Sequence, residues 1–549
     1  MPKYDVAIVG SGACGGWATM ALAKEGFKVA LLEAGSPVET RNFHHEWPYE
    51  LDFRGAGQPG LLRKYFPASS EYNYRIMIDG RENPYTTAPD KPFRWIRSRV
   101  LGGRTLHWAR VSDRMSDFEF KAASRDGYGA DWPLAYSDLE PYYERVERFI
   151  GVSGAPVNLP QFPDGAFLPP MPLNCAETIF EAACRKTGLA ATPRRVAQLT
   201  RMLNNRPPCH FCGNCVNGCD VGAMFSTVST TLPPALKTGN VTLLCDSVVS
   251  HVLTDRENRA RGLRYVERFT NRTVEIEAKV VVLAGSSLEN TRLLLNSQTG
   301  GLANGSGVLG HYLMDQVGGA AVTGFLPILQ GTAIRNDDGK AGGLYIPNFR
   351  NVDKTATSGK FIRGYAMSAS GGAAQFPTFA LNLPGHGSDY KKRVKNLYPA
   401  VARVWLAGGE MLARKDNFIE LDPQVTDKWG IPAVKVHCTH SDNDRAIYQD
   451  FFEQAQQLFH AAKGEIVDAK PAISPPGTVI HEVGTCRMGA DKRTSVLNSF
   501  CQTHDIPNLF VFGGGCFVTT GDKHPTLTML ALTARGCDHL SELARKKEI

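Results

Sequence analysis

The sequence has no uninterrupted apolar run of about 18 residues, the length that marks a candidate membrane-spanning helix. Long blocks of lysine or arginine are also missing, and basic runs such as 545–547 are short. The 61 basic and 54 acidic residues leave a formal net charge of only +7 over 549 residues. We therefore expect no membrane span, and the charge gives no reason to expect nucleic acid as a partner.

A secretory signal peptide and internal repeats are missing too. The first strand is predicted to begin near Tyr4, which leaves no room for a leader. By its own sequence the chain is thus predicted to be cytoplasmic. Export to the periplasm would require a partner subunit that carries its own signal.

The cysteines do not form the even, spaced set that is typical of a disulfide framework. There are 13, and four of them crowd into one short segment as Cys209, Cys212, Cys215 and Cys219. This spacing is that of a bacterial ferredoxin cluster loop. Zinc sites also use four cysteines, but usually as two separated pairs, and free core thiols are the other alternative. The segment 205–225 is therefore predicted to hold an iron–sulfur cluster.

The type of cluster is left open by the spacing. In two-cluster ferredoxins a proline follows the fourth cysteine, which ligates the other cluster. Here Asp220 follows Cys219, and no second cysteine run exists. Four thiolates would suit a 4Fe–4S cluster, and three would suit a 3Fe–4S cluster.

A nucleotide-binding pattern opens the chain. Residues 10–15 match G-x-G-x-x-G, follow an apolar strand at 5–9 and begin an Ala/Leu-rich helix, and Glu33 comes 18 residues after Gly15. Glycines let the backbone approach a pyrophosphate, the helix N-terminus faces its charge, and the acid accepts bonds from the ribose hydroxyls. The pattern predicts a dinucleotide, without separating FAD from NAD.

Three short apolar runs that end in glycine predict a parallel sheet built from distant segments. They are 5–10, 280–285 and 509–515. The region 311–475 alternates more between apolar and polar residues, for example at 418–421, and predicts an antiparallel sheet. The fold class is therefore α/β, with a discontinuous Rossmann-like cofactor domain and an inserted substrate domain.

Several separated segments resemble the glucose–methanol–choline (GMC) oxidoreductase family over the whole length of the chain. The motifs are the 10–15 turn with 32–35, Val100-Leu101-Gly102-Gly103, 282–285, His481 to Gly489, and 513–532. The resemblance implies an FAD-binding domain at 1–310, which includes the cysteine loop, a substrate-binding domain at 311–475, and a C-terminal FAD-binding and catalytic segment at 476–549.

The resemblance also implies which residues surround the FAD. These are Gly10, Gly12, Ala13, Gly15, Glu33, Ala34, Arg99, Gly102, Gly103, Thr105, His107, Trp108, Val248, Ala284, Gly285, Gly514, Gly515, Cys516, Pro525 and Thr526. In pyranose oxidases a histidine in a setting like that of His107 attaches the flavin covalently. Packing beside the flavin ring is the alternative for His107.

Two histidines are the predicted catalytic residues. Oxidation of an alcohol by hydride loss needs a base for the hydroxyl proton, and histidine titrates near neutral pH. By resemblance, His481 is this base, and His524 is a partner that holds the hydroxyl over flavin N5. Some relatives carry asparagine at the second position, so a hydrogen-bonding role suits His524 better than proton uptake.

Within the family, the segments 103–108 and 524–528 resemble the pyranose-oxidising branch, and above all sugar dehydrogenases that carry an iron–sulfur cluster. We therefore expect a dehydrogenase that oxidises a pyranose hydroxyl, with C3 of glucose or a glucoside as first choice. Glucose 1-dehydrogenase, a polyol- or gluconate-type dehydrogenase, a sugar oxidase and a non-catalytic electron-transfer subunit are the alternatives. The expected partners are a small accessory subunit and a cytochrome or quinone acceptor.

Overall fold

The computed structural model describes residues 3–39, 43, 73, 75–213, 215–333, 339–353, 357–372, 378–469 and 473–549. Asn214, inside the predicted cluster segment 205–225, lies outside the described residues. Among the residues that are described, no helix is both long enough and apolar enough to cross a membrane.

The chain contains both strands and helices, several of which follow one another in runs of one kind. In the described ranges the strands are β1 (Tyr4–Val9), β2 (Val29–Leu32), β3 (Tyr85–Thr87), β4 (Thr192–Pro193), β5 (Val241–Leu244), β6 (Ser247–Thr254), β7 (Ala260–Glu267), β8 (Thr273–Leu283), β9 (Gln316–Val317), β10 (Ala321–Phe325), β11 (Leu344–Ile346), β12 (Tyr365–Gly371), β13 (Val401–Glu410), β14 (Phe418–Thr426), β15 (Pro432–His437), β16 (Glu465–Asp468) and β17 (Leu509–Val511). The α-helices there are α1 (Ala13–Lys24), α2 (Asp117–Phe120), α3 (Ala122–Asp126), α4 (Tyr136–Ile150), α5 (Cys175–Thr187), α6 (Leu232–Leu236), α7 (Ser287–Ser297), α8 (Gly387–Leu397), α9 (Asp442–Ala461) and α10 (Thr526–Arg545). Short 3-10 helices occupy Gly103–Leu106, Pro327–Leu329, Thr378–Asn382, Tyr398–Ala400 and Gly514–Cys516, and Thr227–Thr231 forms a π-helical turn.

The first sheet is the predicted Rossmann-like sheet. Its order is β5-β2-β1-β8-β7-β6, and β17 also pairs with β8. β5, β2, β1, β8 and β17 run parallel, while β6 and β7 add an antiparallel hairpin. All four residues of β2 are buried, as a central parallel strand requires. Because the parallel strands come from distant parts of the chain, the prediction of a discontinuous cofactor sheet is confirmed.

The second sheet is antiparallel, in the order β16-β10-β13-β12-β11-β4 with β9 on β13. Helices α5 and α9 share one apolar core with its inner face. This sheet confirms the predicted antiparallel layer. Its edge strand β4 comes from residues 192–193, before the region 311–475.

The alternating run at 418–421 does not belong to the second sheet, although we expected it in the antiparallel layer. It forms part of β14, which joins β15 and β3 in a third sheet of three strands. The domain boundaries at 310 and 475 stay predictions. Segments on both sides of these boundaries pair in the same sheets.

The carboxyl ends of four parallel strands meet at one edge of the first sheet. Gly10 follows β1, Glu33 follows β2, Ala284 follows β8 and Gly513 follows β17. Ligands of open parallel sheets bind outside this edge. The fold therefore brings the separated cofactor motifs together.

Candidate active site

The glycine turn after β1 has two faces. A Cβ on Gly10, whose φ is +90°, would lie 2.7 Å from the Ala284 oxygen and from Gly285, and a Cβ on Gly15 would lie 1.8 Å from the Gly10 oxygen. By contrast, none of the described atoms would come within 4 Å of a Cβ on Gly12. Backbone packing thus requires the outer glycines, while the side of Gly12 at the start of α1 is open to a phosphate.

The predicted ribose acceptor, Glu33, is buried beside this turn and 7% exposed. Its Oε2 accepts from the backbone N–H and the hydroxyl of Ser11, at 3.0 and 2.6 Å, and its Oε1 accepts from Gly35 N–H at 2.8 Å. Burial raises the pKa of Glu33, while the charge of Arg99 works in the opposite direction. The Glu33 side chain is thus held between Ser11 of the turn and the backbone of Gly35, with Ala34 next to it in the chain.

Hydrogen bonds connect the turn to the second cofactor motif. Gly102 N–H donates to the Ser11 hydroxyl at 2.8 Å, and the Thr105 hydroxyl donates to the Gly102 carbonyl at 2.6 Å. The Thr227 hydroxyl donates to the Gly12 carbonyl, and its N–H donates to Thr105 Oγ1. Gly102 and Gly103 both have positive φ, and they begin the 3-10 helix that carries Thr105.

His107 and Trp108 lie directly after that helix. His107 Nε2 is 2.5 Å from the Ser98 hydroxyl, and burial, helped by Arg110 and Arg104, lowers the pKa of His107 to about 3. Trp108 Nε1 donates to the Phe225 carbonyl at 3.2 Å. His107 is therefore neutral, and covalent attachment of the flavin there stays a prediction.

The other predicted cofactor residues lie at strand and helix ends of the same region. Ala13 is the first residue of α1, Val248 is buried in β6, Gly285 follows β8, Gly514, Gly515 and Cys516 form a 3-10 helix after β17, Pro525 is the N-cap of α10, and Thr526 is its first residue. A Cβ on Gly514 would lie 2.8 Å from the Glu482 carbonyl, so this turn packs against the His481 segment.

His481 and His524 come together although 43 residues separate them in sequence. Their ring centroids are 5.0 Å apart and the rings are nearly perpendicular, at 80°. His481 lies on the loop before Gly484, and His524 directly precedes the N-cap of α10. The structure thus brings the two predicted catalytic histidines together, while their catalytic roles stay a prediction.

Among the residues that the structure describes, only one ring nitrogen of His481 has a hydrogen-bond partner. Its Nδ1 is 2.7 Å from Gln316 Oε1, and its backbone N–H donates to Asp315 Oδ1 at 2.9 Å. Asp315 Oδ2 also accepts from Gly477 and Val479 N–H, at 2.7 and 3.1 Å, so this carboxylate organises the loop. Loss of hydration holds the pKa of His481 well below 6.5, and nearby His524, Arg104 and Arg194 lower it further. The imidazole of His481 is therefore uncharged at neutral pH.

Both ring nitrogens of His524 have hydrogen-bond partners. Nδ1 lies 3.0 Å from Asp113 Oδ2, and Nε2 lies 3.0 Å from Arg194 Nη2. Because guanidinium only donates, Nε2 must accept and Nδ1 must donate to the carboxylate. Burial lowers the pKa of His524. The hydrogen bond to Asp113 raises this pKa, and the positive charge of Arg194 lowers it. His524 is thus neutral and fixed in one tautomer.

The sequence reasoning missed four of these residues. Asp113 and Arg194 lie far from His524 in the chain, and Asp315 and Gln316 lie far from His481. None of them belongs to a spacing pattern that marks a histidine partner, so the single sequence carried no signal for them.

The predicted cluster cysteines surround one pocket, which Gln198 and Met224 also line. Gln198 Nε2 donates to Cys209 Sγ at 2.8 Å, and Phe211 N–H lies 3.3 Å from the same sulfur. Among the described residues, however, no group of three or more His, Cys, Asp or Glu side chains is close enough to hold a single metal ion. The cysteines are thus neighbours without converging on one point.

Arg110 links the cysteine loop to the predicted flavin segment. This guanidinium is 1% exposed and donates to the carbonyls of Cys215, Trp108 and Leu106. Burial lowers the pKa of Arg110 to about 10, whereas the nearby thiols of Cys215 and Cys219 act to raise it. A buried cation here favours negative charge on the loop.

Comparison with known proteins agrees with the motifs. Two models, both described as GMC oxidoreductase, match residues 15–318 and 413–533. The chain is 30% identical to 2-methyl-1,2-propanediol dehydrogenase of Mycolicibacterium austroafricanum, over 98% of this chain and 95% of the relative. It is 28% identical to the fructose dehydrogenase large subunit of Gluconobacter japonicus, over 97% of each chain.

The fold also matches that of solved structures. Pyridoxine 4-oxidase from Mesorbium loti superposes with a TM-score of 0.65 over 98% of this chain and 99% of that one, at 16% identity. This match concerns the fold alone, whereas the sequence models cover more than half of the chain. The chain belongs to the GMC oxidoreductase family.

Proposed function

We propose that the protein is an FAD-dependent dehydrogenase that oxidises a secondary alcohol or the anomeric hydroxyl of a pyranose sugar. C3 of glucose or of a glucoside is the first candidate for the oxidised carbon. Family membership makes the chain an FAD-dependent oxidoreductase that acts on alcohol groups. The observation that carries the proposal is the His481–His524 pair, with ring centroids 5.0 Å apart.

The residues at the edge of the first sheet fit FAD. The open side of Gly12 at the start of α1 suits a pyrophosphate, and buried Glu33 suits a ribose. When bound, FAD supplies the acceptor for the hydride that leaves the substrate carbon. The chain's own residues handle the proton: His481 Nε2 takes it from the substrate hydroxyl as the alcohol becomes a ketone, or a lactone where the hydroxyl is anomeric.

The substrate class is supported by the names of relatives. They act on a diol, on fructose and, in the C-glycoside 3-oxidase of Arthrobacter globiformis (25% identical), on a glycoside. All of these are polyhydroxy or sugar-like alcohols. We therefore place the substrate among the pyranoses, with polyol and gluconate-type substrates as the alternative.

We further propose that the four cysteines of the loop hold an iron–sulfur cluster that relays electrons to an external acceptor. Three observations support it: the shared pocket, the N–H donors to Cys209 Sγ, and the buried cation of Arg110. In a cluster the thiolates bind separate irons, so they need not converge on one point as zinc ligands do. A small accessory subunit and a cytochrome or quinone acceptor belong to the same proposal, and the fructose dehydrogenase relative is itself named as a large subunit.

Product analysis tests the substrate proposal. Purified protein is turned over with glucose or with methyl glucoside and an artificial electron acceptor, and the new carbonyl is located by NMR. A 3-keto product supports the proposal. A lactone from glucose with no reaction of the glucoside would replace it with glucose 1-dehydrogenase, and oxidation of open-chain polyols alone would remove pyranoses as substrates.

Metal analysis tests the cluster proposal. We expect iron and acid-labile sulfide at three or four atoms of iron per chain. Zinc at one atom per chain, or a protein whose spectrum is that of flavin alone, would contradict it.

An oxidase is the second candidate, because the names of relatives include oxidases as well as dehydrogenases. Hydrogen peroxide formed in air as fast as an added dye is reduced would favour the oxidase. Little peroxide together with fast dye reduction would favour the dehydrogenase.

A further inference from the structure

We infer that Gln316 is a positioning residue that sets the tautomer of His481, so that Nε2 is the nitrogen that takes the substrate proton. The inference deepens the proposed function, and it rests on the role of His481 as base. It concerns the first residue of β9, which no sequence motif singled out.

The orientation of the Gln316 amide follows from its neighbours. Its Nε2 lies 2.8 Å from the Gly521 carbonyl and 2.8 Å from the Lys523 carbonyl. Carbonyl oxygens only accept, so the amide NH2 must point to these two atoms. A flipped amide would place its oxygen against two oxygens and lose both bonds.

The orientation of the amide then decides where the proton of His481 lies. Gln316 Oε1 is an acceptor only, and it lies 2.7 Å from His481 Nδ1. Nδ1 must therefore carry the hydrogen. In the neutral imidazole this leaves Nε2 with its lone pair, which is the state that a general base needs.

Packing keeps the amide in this orientation. Gln316 is 1% exposed, and its backbone pairs with Glu410 of β13. The adjacent Asp315 holds the backbone of the His481 loop through three N–H bonds, including that of His481 itself. The side chain and the backbone of His481 are thus fixed by two consecutive residues, Gln316 at the start of β9 and Asp315 directly before it.

The amide of Gln316 carries no charge, so it does not stabilise the protonated, positively charged form of His481. The groups around His481 include the cations Arg104 and Arg194, the neutral His524 and the carboxylate of Asp315, and Glu482 follows His481 in the chain. The Glu482 carboxylate is paired with Arg104 at 2.7 Å, and Asp315 bonds backbone N–H groups. His524 differs, because its Nδ1 faces the carboxylate of Asp113. A carboxylate in place of Gln316 would favour the imidazolium of His481 and weaken the base at neutral pH.

The experiment combines 15N NMR with kinetics. The ring nitrogens are labelled with [15N]histidine, and the His481 signals are assigned by difference from His481→Ala. We expect a pyrrole-type signal from Nδ1 and a pyridine-type signal from Nε2. The reverse tautomer in the wild-type protein would overturn the inference whatever the substrate proves to be.

Variants test the consequence for the reaction. Gln316→Leu removes the acceptor, and we expect the tautomer ratio to move towards Nε2–H and the rate of anaerobic flavin reduction to fall about tenfold or more. Gln316→Glu supplies a carboxylate, and the pH below which flavin reduction slows should move upward. Gln161→Leu is the matched control, since Gln161 is also buried and donates to a carbonyl, that of Asn348, away from the histidines.

The tautomer of His481 and the oxidation of an alcohol are tested by separate results. If no alcohol reduces the wild-type flavin, the proposed function fails, while the NMR result still decides the tautomer. If substrate reduces the flavin but Gln316→Glu leaves the pH profile unchanged, or Gln316→Leu behaves like Gln161→Leu, the inference fails and the proposed function stands.

Discussion

The environments of the two histidines differ, although their rings are only 5.0 Å apart. His481 faces a neutral amide on one side and keeps its other nitrogen available. His524 lies between a carboxylate and a guanidinium, both of which use its nitrogens. Two histidines that a motif identifies as a pair are thus chemically different: His481 is suited to take a proton, and His524 is suited to hold a position.

The largest expected effect comes from removing the available base. In His481→Ala, substrate-driven flavin reduction should fall by about 10²–10⁴-fold, the usual contribution of a general base. FAD should stay bound, because His481 is not among the residues of the glycine turn or of Glu33. Stopped-flow absorbance under anaerobic conditions measures the rate. A wild-type rate in this variant would remove His481 from the base role.

A smaller effect is expected at the other histidine. In His524→Asn the amide can still donate towards Asp113 and accept from Arg194, so we expect a loss of about three- to tenfold. The same stopped-flow assay compares it with His481→Ala. An equal loss of the reduction rate in both variants would contradict the different roles of the two histidines.

The pH dependence should follow the environment of His481. Its pKa is held well below 6.5, so the base form is present throughout the neutral range. Burial raises the pKa of Asp315 to about 6, and protonation below that pH weakens the acceptor that organises the His481 loop. We therefore expect a reduction rate that is flat from pH 7 to 9 and falls as the pH drops through about 6. A fall centred above pH 7 would contradict this assignment.

Arg194 tests the environment of His524 directly, because its guanidinium hydrogen-bonds His524 Nε2. The charge of Arg194 lowers the pKa of His524, so Arg194→Met should raise that pKa and release Nε2. NMR titration of the labelled ring reports the change. Arg185→Met on α5, whose guanidinium pairs with Glu181, is the control and should leave the His524 signal unmoved.

The smallest effect on flavin reduction is expected in the cysteine loop. Cys215→Ser should leave reduction by substrate unchanged and slow the transfer of electrons to a cytochrome. Cys175→Ser, at an exposed cysteine outside the loop, should change neither. Normal transfer to the cytochrome in Cys215→Ser would contradict the relay.

The sequence predicted the parts of the site that depend on local spacing. The glycine turn, the acid after β2 and the two histidines each lie in a short motif whose neighbours dictate its conformation. The cofactor sheet was predictable for the same reason, because its parallel strands are short apolar runs ending in glycine. The antiparallel layer followed from alternation, although the run at 418–421 joins the third sheet.

What the sequence did not predict are partners that meet only in three dimensions. Asp113 and Arg194 reach His524 from segments more than 300 residues away, and Gln316 reaches His481 across 165 residues. Strand β4 joins the second sheet from residues 192–193, which no local pattern indicates. Such pairings depend on the register between distant strands, which a single sequence does not encode in any short window.

The most direct measurement is anaerobic mixing of the flavin-loaded protein with glucose, methyl glucoside and a polyol, while the flavin absorbance is followed. We predict bleaching by at least one pyranose in the wild-type protein and almost none in His481→Ala. If dithionite bleaches the flavin but no alcohol does, the protein does not oxidise alcohols and the central claim is wrong.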